Sequence, residues 1–452
     1  MGQPIKQQNI LDHENKIVLI WSVAVWLVVM NTTMFNVALP TVLQELSLDS
    51  STASWIVSGY SIVFAISTLT YSRLSDYIPI SRLLLTGLLL LSFASIIGWQ
   101  SSTFEVLLFS RLLQAAGAGA VPGLAMVLAG RYIPVSRRGK AMSFISSAAS
   151  LGFGLGPVIG GAITQAFGWN ELFIVTGVVV FLLPLFYRLL PKEETKKIKF
   201  DFIGALLTAI SVTCLLLFLS TLSIYFFLIS MVSVFVLWVH IHKIQIPFIQ
   251  PSILKKRPYI KLLLIGFVAF VTHFSTLFMM PIMLSVIHEK GAATIGLIIF
   301  PGAMLSAIAA QFIGRLIDHF GNKPLMVVGQ LLLILSTSLF AFFSSVSPYW
   351  IMIAYMFMST GFSALTSSIA NEATRILPKD EIGTGMGMYQ LVQFFGGALG
   401  VAISGMLIAW QSAYSAEIIY RNNFLGLIGI LTLAVGLFIL YIRPLKIMQH
   451  SS

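Results

Sequence analysis

In a chain of 452 residues with only 10% charged side chains, the few polar groups standing inside long apolar runs are the candidates for chemistry. Arg111 lies in VLLFSRLLQAAGAGAVPGLAMVLAG, about two helical turns from the start of its run, with Gln114, Gly117 and Gly119 following. A cation at such a depth in a bilayer costs at least about 2.5–3.5 kcal/mol unless it faces protein, a partner or water. Snorkelling to the surface is one reading. The neighbouring Gln114 and glycines favour the other, a polar stripe on a tightly packed helix. Arginine does not release a proton at any relevant pH, so its chemistry is to bind an anion or to tune a neighbouring group. His273, in FVAFVTHFSTLFMMP, is a residue that could carry a proton, make a polar contact or simply pack. Glu372, in SSIANEATRILP, either titrates within its run or marks a solvated helix end. Asn31, Thr33 and Asn36, in VVMNTTMFNVALP, offer hydrogen bonds but no proton.

The elements that must position these groups are membrane spans. The chain is 57% hydrophobic, and its mean hydropathy is +0.93. Apolar runs long enough to cross a hydrocarbon core about 30 Å thick recur along almost its whole length. They predict an all-α polytopic membrane protein of about fourteen helices, arranged six, two and six. The alternating segments of a β-barrel are absent. The expected organisation is a tail over 1–16, a six-helix bundle over 17–190, linkers and two extra helices over 191–258, a second six-helix bundle over 259–445, and a tail over 446–452. The first run, from Ile17, is too long for a signal-peptide core and is expected to be retained. Cys214 is the single cysteine and reads as a packing residue.

The formal net charge is +11, yet the basic residues are not scattered. With a cytoplasmic amino terminus, alternate loops carry Arg73 and Arg82, then Arg131, Arg137, Arg138 and Lys140, then Lys192 to Lys199, Lys255 to Arg257, and Arg315 and Lys323. The opposite loops hold little beyond Lys290 and Arg421. This is a positive-inside pattern, so the basicity reports contact with an anionic inner leaflet and no nucleic-acid partner is expected. Both termini should be cytoplasmic.

Two loops share a pattern. SRLSDYIPISRLL, Ser72 to Leu84, and GRLIDHFGNKPL, Gly314 to Leu325, each place Arg-Leu-x-Asp at the inner end of a span, with Arg73 and Asp76 in one and Arg315 and Asp318 in the other. A basic residue, Arg82 or Lys323, follows within seven residues of the acid, so the two halves read as repeats. An acid at a helix end can accept from backbone N–H groups or pair with arginine, and glycine lets the backbone reverse.

On these residues the sequence resembles the major facilitator superfamily, and within it the fourteen-helix drug:proton antiporters that include Gram-positive tetracycline exporters and multidrug pumps. The family's loop motif, G-x-L-x-D-x-x-G-x-[KR]-[KR], is matched by Gly314, Leu316, Asp318, Gly321 and Lys323, while Ser72, Pro79 and Ser81 depart from it in the first copy. The resemblance implies that these loops latch a gate that changes partners as the halves rock. Arg-x-x-Gln-x-x-Gly from Arg111 resembles the fourth-helix motif whose arginine is implicated in proton transfer. Thr33, Asn36, Ala38, Leu39 and Pro40 match the first-helix signature, but Asn31 stands where the family has an aspartate. Positions that are acidic in tetracycline exporters are here Thr32, Phe153 and Gly396 or Gly397, which weakens tetracycline as the substrate.

The stretch LGFGLGPVIGG holds five glycines and a proline in eleven residues. Gly152, Gly156 and Gly160 form one helical stripe for close backbone approach, and Pro157 permits a bend. With Gly161 the pattern resembles the fifth-helix motif associated with exporters and antiporters, and Gly396, Gly400 and Ser404 form a partial counterpart.

These readings predict a transporter of the major facilitator fold, not an enzyme, that exports drugs or other toxic small molecules by alternating access. Proton antiport is expected from the resemblance, with the proton gradient as energy source and no cofactor or metal. Met34, Phe35, Phe153, Phe274, Met279, Tyr389 and Phe394 are candidate substrate contacts by their size and polarizability. Almost all of the sixteen Asp and Glu residues fall in loops or at span ends and none lies clearly at mid-membrane, so a cavity holding Arg111 suits neutral, zwitterionic or anionic substrates better than dications. An exporter of an anionic metabolite or siderophore-like chelate is the alternative. The expected setting is a bacterial cytoplasmic membrane, with lipid, substrate and protons as partners and a monomeric chain.

Overall fold

The computed structural model describes residues 13–449 apart from 76, 134, 192, 194–199, 245–246, 250 and 379–381. Described residues of the first half form α1 (Glu14–Glu45), α2 (Ser50–Leu74), α3 (Ile80–Trp99), α4 (Phe104–Ala118), α5 (Ala120–Tyr132), α6 (Val135–Phe167), α7 (Glu171–Gly177) and α8 (Leu183–Leu189). The middle pair is α9 (Phe202–Thr221) and α10 (Ile224–Lys243), followed by the short α11 (Pro251–Leu254). The second half comprises α12 (Arg257–Val286), α13 (Ala292–Phe320), α14 (Asn322–Phe343), α15 (Pro348–Ile376), α16 (Ile382–Trp410) and α17 (Ala416–Gln449). No strand occurs among the described residues.

Twelve of these rods are long and apolar enough to cross a membrane, counting α4 with α5 and α7 with α8. The fourteen spans read from the sequence are not all reached on that measure. In α6 only Leu151–Phe167 registers, as a shorter apolar helix. The other expected crossing, α15, is a 29-residue helix packed against α13 and α14.

The fourth and sixth expected spans are each broken. α4 passes to α5 at Gly119, where the backbone lies against Ser67 and Thr68 of α2. Between α7 and α8 the chain tightens into a 3-10 turn over Val178–Leu182. Pro184, at the start of α8, has no N–H to continue an i→i−4 ladder, which accounts for that change. Many hydroxyls along the spans bond back to their own helices, as Ser61 does to Val57 and Thr68 to Phe64, so these groups are satisfied without water.

The halves meet along two seams. α6 packs between α1 of its own half and α13 of the other, and α16 packs in the same way between α12 and α2. At the end holding the α1–α2 loop, Gly161 of α6 abuts the Ala292 carbonyl at the start of α13. At the same end, Gly405 of α16 lies against Ser50 at the start of α2, where a Cβ would stand 2.7 Å from the carbonyl oxygen.

Towards the opposite end the seams differ. Gly387 of α16 still touches Leu69 of α2. Phe248 is buried there among Ala65, Leu69 and Leu391, and Leu216 of α9 packs with Ile62, Ala398 and Ala402 across the same seam. Asp201 holds this cover together: it caps α9 through Gly204 N at 2.8 Å, accepts from Phe248 N at 2.9 Å, and meets His240 Nε2 of α10 at 2.7 Å. Burial works against its charge, but these three contacts outweigh it and hold the carboxyl below the ordinary aspartate range. Along α13, by contrast, Ile308, Gln311, Phe312, Gly314, Arg315 and Leu316 are all exposed, and of this stretch Ile313 and Ile317 are buried.

Candidate functional site

Arg111 does not snorkel. It is 1% exposed, and its guanidinium lies between two rings, 4.0 Å from the Phe35 centroid and 4.2 Å from that of Tyr60. Nη1 donates to Asn31 Oδ1 at 3.1 Å and to Gln114 Oε1 at 2.8 Å. Gln114 in turn donates to Ser95 Oγ, and Thr176 Oγ1 donates to Asn31 Oδ1 at 3.0 Å. Helices α1, α2, α3, α4 and α7 thus converge on one cation. Stacking between aromatic faces compensates part of its lost hydration. Arg111 Nε has no hydrogen-bond partner, and among the described residues no carboxylate pairs with this arginine.

His273 lies in the other half, 5% exposed on α12, with Nδ1 buried and unpartnered. Its ring stacks on Phe362 at 4.0 Å and 8°, and lies 6.3 Å from Tyr355 at 22°. Beside it is a cavity of about 140 Å³ lined by α12, α13, α15 and Phe153 of α6.

Of the proposed substrate contacts, Phe153 lines that cavity, together with His273. Phe35 instead sandwiches Arg111, Met34 packs against Gly160, and Met279 is fully buried. Phe274 and Phe394 belong to an aromatic cluster with Phe270, and Tyr389 bonds to the Thr366 carbonyl at 3.2 Å. Thr33 Oγ1 donates to the carbonyls of Met30 and Gly152, and the buried Asn36 Oδ1 has no partner.

Glu372 is neither solvated nor in mid-span. It accepts from Asn322 Nδ2 at 2.5 Å and Tyr441 Oη at 2.7 Å, with Arg375 3.6 Å away, so it ties the start of α14 to α15 and α17. In the first half Glu193 accepts from Ile80 N at 2.6 Å and from Tyr132 Oη, with Arg131 3.7 Å away, and so ties down α3. Ile80 and Asn322 each follow the motif aspartate by four residues. The same three residue types, Glu, Tyr and Arg, therefore receive equivalent helix starts, on different helices in the two halves. The charge run around Glu193 read as a linker, and nothing in its spacing pointed to this contact.

Within the loop motifs, the reversal between α13 and α14 uses Gly321 alone, at φ +81°. Gly314 lies inside α13, with open space where a side chain would stand, so it is not a turn glycine. Arg315 is exposed near the Phe312 ring, and Lys323 lies in the first turn of α14. Arg73 ends α2, Arg82 lies in the first turn of α3, and Arg131 donates to Ser75 O at 2.7 Å. Asp76 is outside the described residues, as are Lys192, Lys196 to Lys199, Asp380, Glu381 and the side chains of Asp318, Arg137, Arg138 and Lys140.

The glycine stretch faces two ways. Gly152, Gly156 and Gly160 press on α1 at Trp26, Thr33 and Met34, whereas Gly161 and the Pro157 carbonyl meet Ala292 and Gly296 of α13. The counterpart repeats this: Gly396 and Gly400 meet the carbonyls of Phe267 and Val271 in α12, and Gly405 meets α2.

A family model for the Major Facilitator Superfamily matches residues 21–401, with a second match over 262–450. The chain belongs to the Major Facilitator Superfamily. It is a multi-pass membrane transporter of that superfamily, and similar proteins bear this out. An uncharacterized MFS-type transporter of Bacillus subtilis (strain 168), YcnB, is 22% identical over 86% of this chain and 84% of its own. The riboflavin transporter RibZ of Clostridioides difficile (strain 630) is 22% identical over 89% of this chain and 90% of its own. Among solved structures, a bacterial homolog of the human lysosomal transporter Spinster, inward-facing and unoccupied, superposes with TM-score 0.68 at 14% identity, covering 97% and 98% of the two chains. The POT family transporter PepTSo gives 0.71 at 16% identity, covering 96% and 99%. For this Major Facilitator Superfamily chain, α6 and α16 are thus the helices that join each half to the other.

Proposed function

We propose that the protein is a secondary active exporter that moves drugs or other toxic small molecules out of a bacterial cell by proton antiport, rocking its halves around a central path. The observation that carries this reading is the double contact of α6, glycine faces set against α1 on one side and α13 on the other, repeated by α16. Backbone-to-backbone surfaces of that kind let helices of opposite halves move past one another without unlocking side chains. We take α6 and α15 as the two crossings that complete fourteen, and a monomer as the working unit. The basic ends of α2, α5 and α13 share one end of the molecule with the start of α1 and the end of α17, which supports a cytoplasmic placement for both termini. On that placement the contacts of Gly161 and Gly405 lie at the outer ends of the two seams.

A second reading, export of an anionic or zwitterionic metabolite or chelate, is favoured by a buried Arg111 with no carboxylate beside it. The name of the riboflavin transporter relative also favours a metabolite. Purified protein in proteoliposomes tests both: a substrate panel is screened with an imposed pH gradient, and proton movement is recorded with each substrate. Drug-dependent proton counterflow supports antiport of drugs. Transport that ignores the gradient removes the coupling, and response to one metabolite alone moves the assignment to the second reading. His273→Ala, the variant of the candidate proton carrier, is compared with the parent.

A further inference from the structure

We propose that the gap between His273 and Tyr355 is a binding slot for an uncharged, planar heteroaromatic ring that carries N–H groups on its edge. This deepens the transport reading above by naming a substrate class, and it rests on that reading only for the consequence of binding, not for the binding itself.

The slot follows from ring geometry. Tyr355 and Phe362 are seven residues apart on α15, about 10.5 Å along a helix axis. The imidazole of His273 sits against Phe362 at 4.0 Å, nearly parallel, and faces Tyr355 at 6.3 Å and 22°. Together the two separations are close to that rise, the spacing expected of three rings in one column with one tight interval and one wide one. A flat ring inserted into the wide interval needs about 7 Å between its neighbours, a little more than is present. Tyr355 backs on Gly302 of α13, where a Cβ would overlap the phenol ring, so the ring position depends on that glycine.

The chemistry of the walls limits what enters. The cavity beside the slot, about 140 Å³, has the size that holds one six-membered ring, and no residue lining it carries a carboxylate, ammonium or guanidinium. A planar cation would therefore be stranded there without a counter-ion. Three of the five lining hydroxyls have already spent their hydrogens: Ser306 donates to the Ser359 carbonyl, Ser359 to that of Gly302, and Thr366 to that of Phe362, which leaves Ser363 and Tyr355 free to donate or accept. The three spent hydroxyls can offer only lone pairs and the other two can accept as well, so all five suit N–H donors on a ligand edge. His273 contributes the face of its ring, since its unpartnered Nδ1 is buried and bonds only in the ring plane. Phe153, 42% exposed, stands at the rim on the side of the opposite half.

Fluorescence titration of the full-length protein in nanodiscs, with the neutral tricyclic dye lumichrome as probe, tests the slot. Stacking should quench and red-shift its emission on binding. We expect His273→Ala and Tyr355→Ala each to weaken binding at least about tenfold, Tyr355→Phe to stay close to the parent, and the N,N′-dimethyl derivative to lose about tenfold in the parent. Melting curves in the same nanodiscs show whether each variant is folded, and Tyr355→Phe keeps the comparison open should the alanine variants be unstable. Parent-like binding in folded His273→Ala and Tyr355→Ala overturns the proposal, as does binding of the planar cation proflavine equal to that of lumichrome. Lumichrome that binds as described but is not moved in proteoliposomes leaves the slot standing and counts against export of this class.

Discussion

Gly161 of α6 is in backbone contact with Ala292 at the first turn of α13, a junction between the halves, while one residue earlier Gly160 touches Met34 within its own half. Adjacent glycines on one helix thus carry two separable duties. Substituting Gly161 with valine should reduce transport at least about tenfold by holding this end apart, with a small change in melting temperature. Gly405→Val, the equivalent across the other seam, should do the same. Spin labels on Gln165 and Ala293, whose side chain and backbone N–H bond at 3.0 Å, would report the widening.

Gly156→Ala acts inside one half and should behave differently. A Cβ there overlaps Thr33 Oγ1, whose bond to the Gly152 carbonyl at 3.2 Å ties α1 to α6. The expected loss is about 1–3 kcal/mol of stability, the usual range for overpacking, and Thr33→Ala should recover part of it. Thermal unfolding of the two single variants and the double variant measures the coupling.

Asn31 is the neutral partner of a buried cation. Asn31→Asp would convert the 3.1 Å contact with Arg111 into an ion pair without changing its shape. The variant should melt higher than the parent, because an opposite charge offsets the desolvation of a guanidinium that no carboxylate now meets. Arg111→Ala should lower stability and abolish transport. A parent-like melting temperature in Asn31→Asp would show that the guanidinium is already fully compensated by Phe35, Tyr60 and Gln114.

Glu372 invites a test of anchoring against proton carriage. Its two oxygens are held by Asn322 and Tyr441. Glu372→Gln and Tyr441→Phe should each cost about 1–3 kcal/mol and leave the response of transport to a pH gradient unchanged. Loss of that response in a folded Glu372→Gln protein would reassign this carboxyl to coupling.

Asp201 gives a pH-dependent prediction. Its carboxyl lies below the ordinary range when folded, so the stability it contributes is present above the unfolded value, about 3.9, and fades as pH falls through the lower folded value. Asp201→Asn should therefore melt lower than the parent at pH 7, with the gap narrowing in acid below pH 4. Melting curves in detergent across that range decide it.

Much of this was legible in the sequence because bilayers leave little choice. Apolar length marks most of the rods, and the 244-residue offset between Gly161 and Gly405 is close to the 242 residues that separate Asp76 from Asp318 in the loops. What periodicity does not carry is direction. Met34 and Phe35 are neighbours with similar side chains, yet one fills the space beside a glycine and the other caps an arginine, because successive residues on a helix point about 100° apart. The Tyr355–His273–Phe362 column was hidden for the same reason: it joins two helices about eighty residues apart, and neither segment reads as aromatic stacking by itself.

The two halves are near-copies, and a molecule made only of them would look alike from either flank. The α9–α10 pair and Phe248 lie over the α2–α16 seam and nothing of the kind is described over α6 and α13. The protein consequently has a back and a front within the plane of the bilayer, and a molecule dissolved among the lipids meets two different faces depending on the side from which it drifts in.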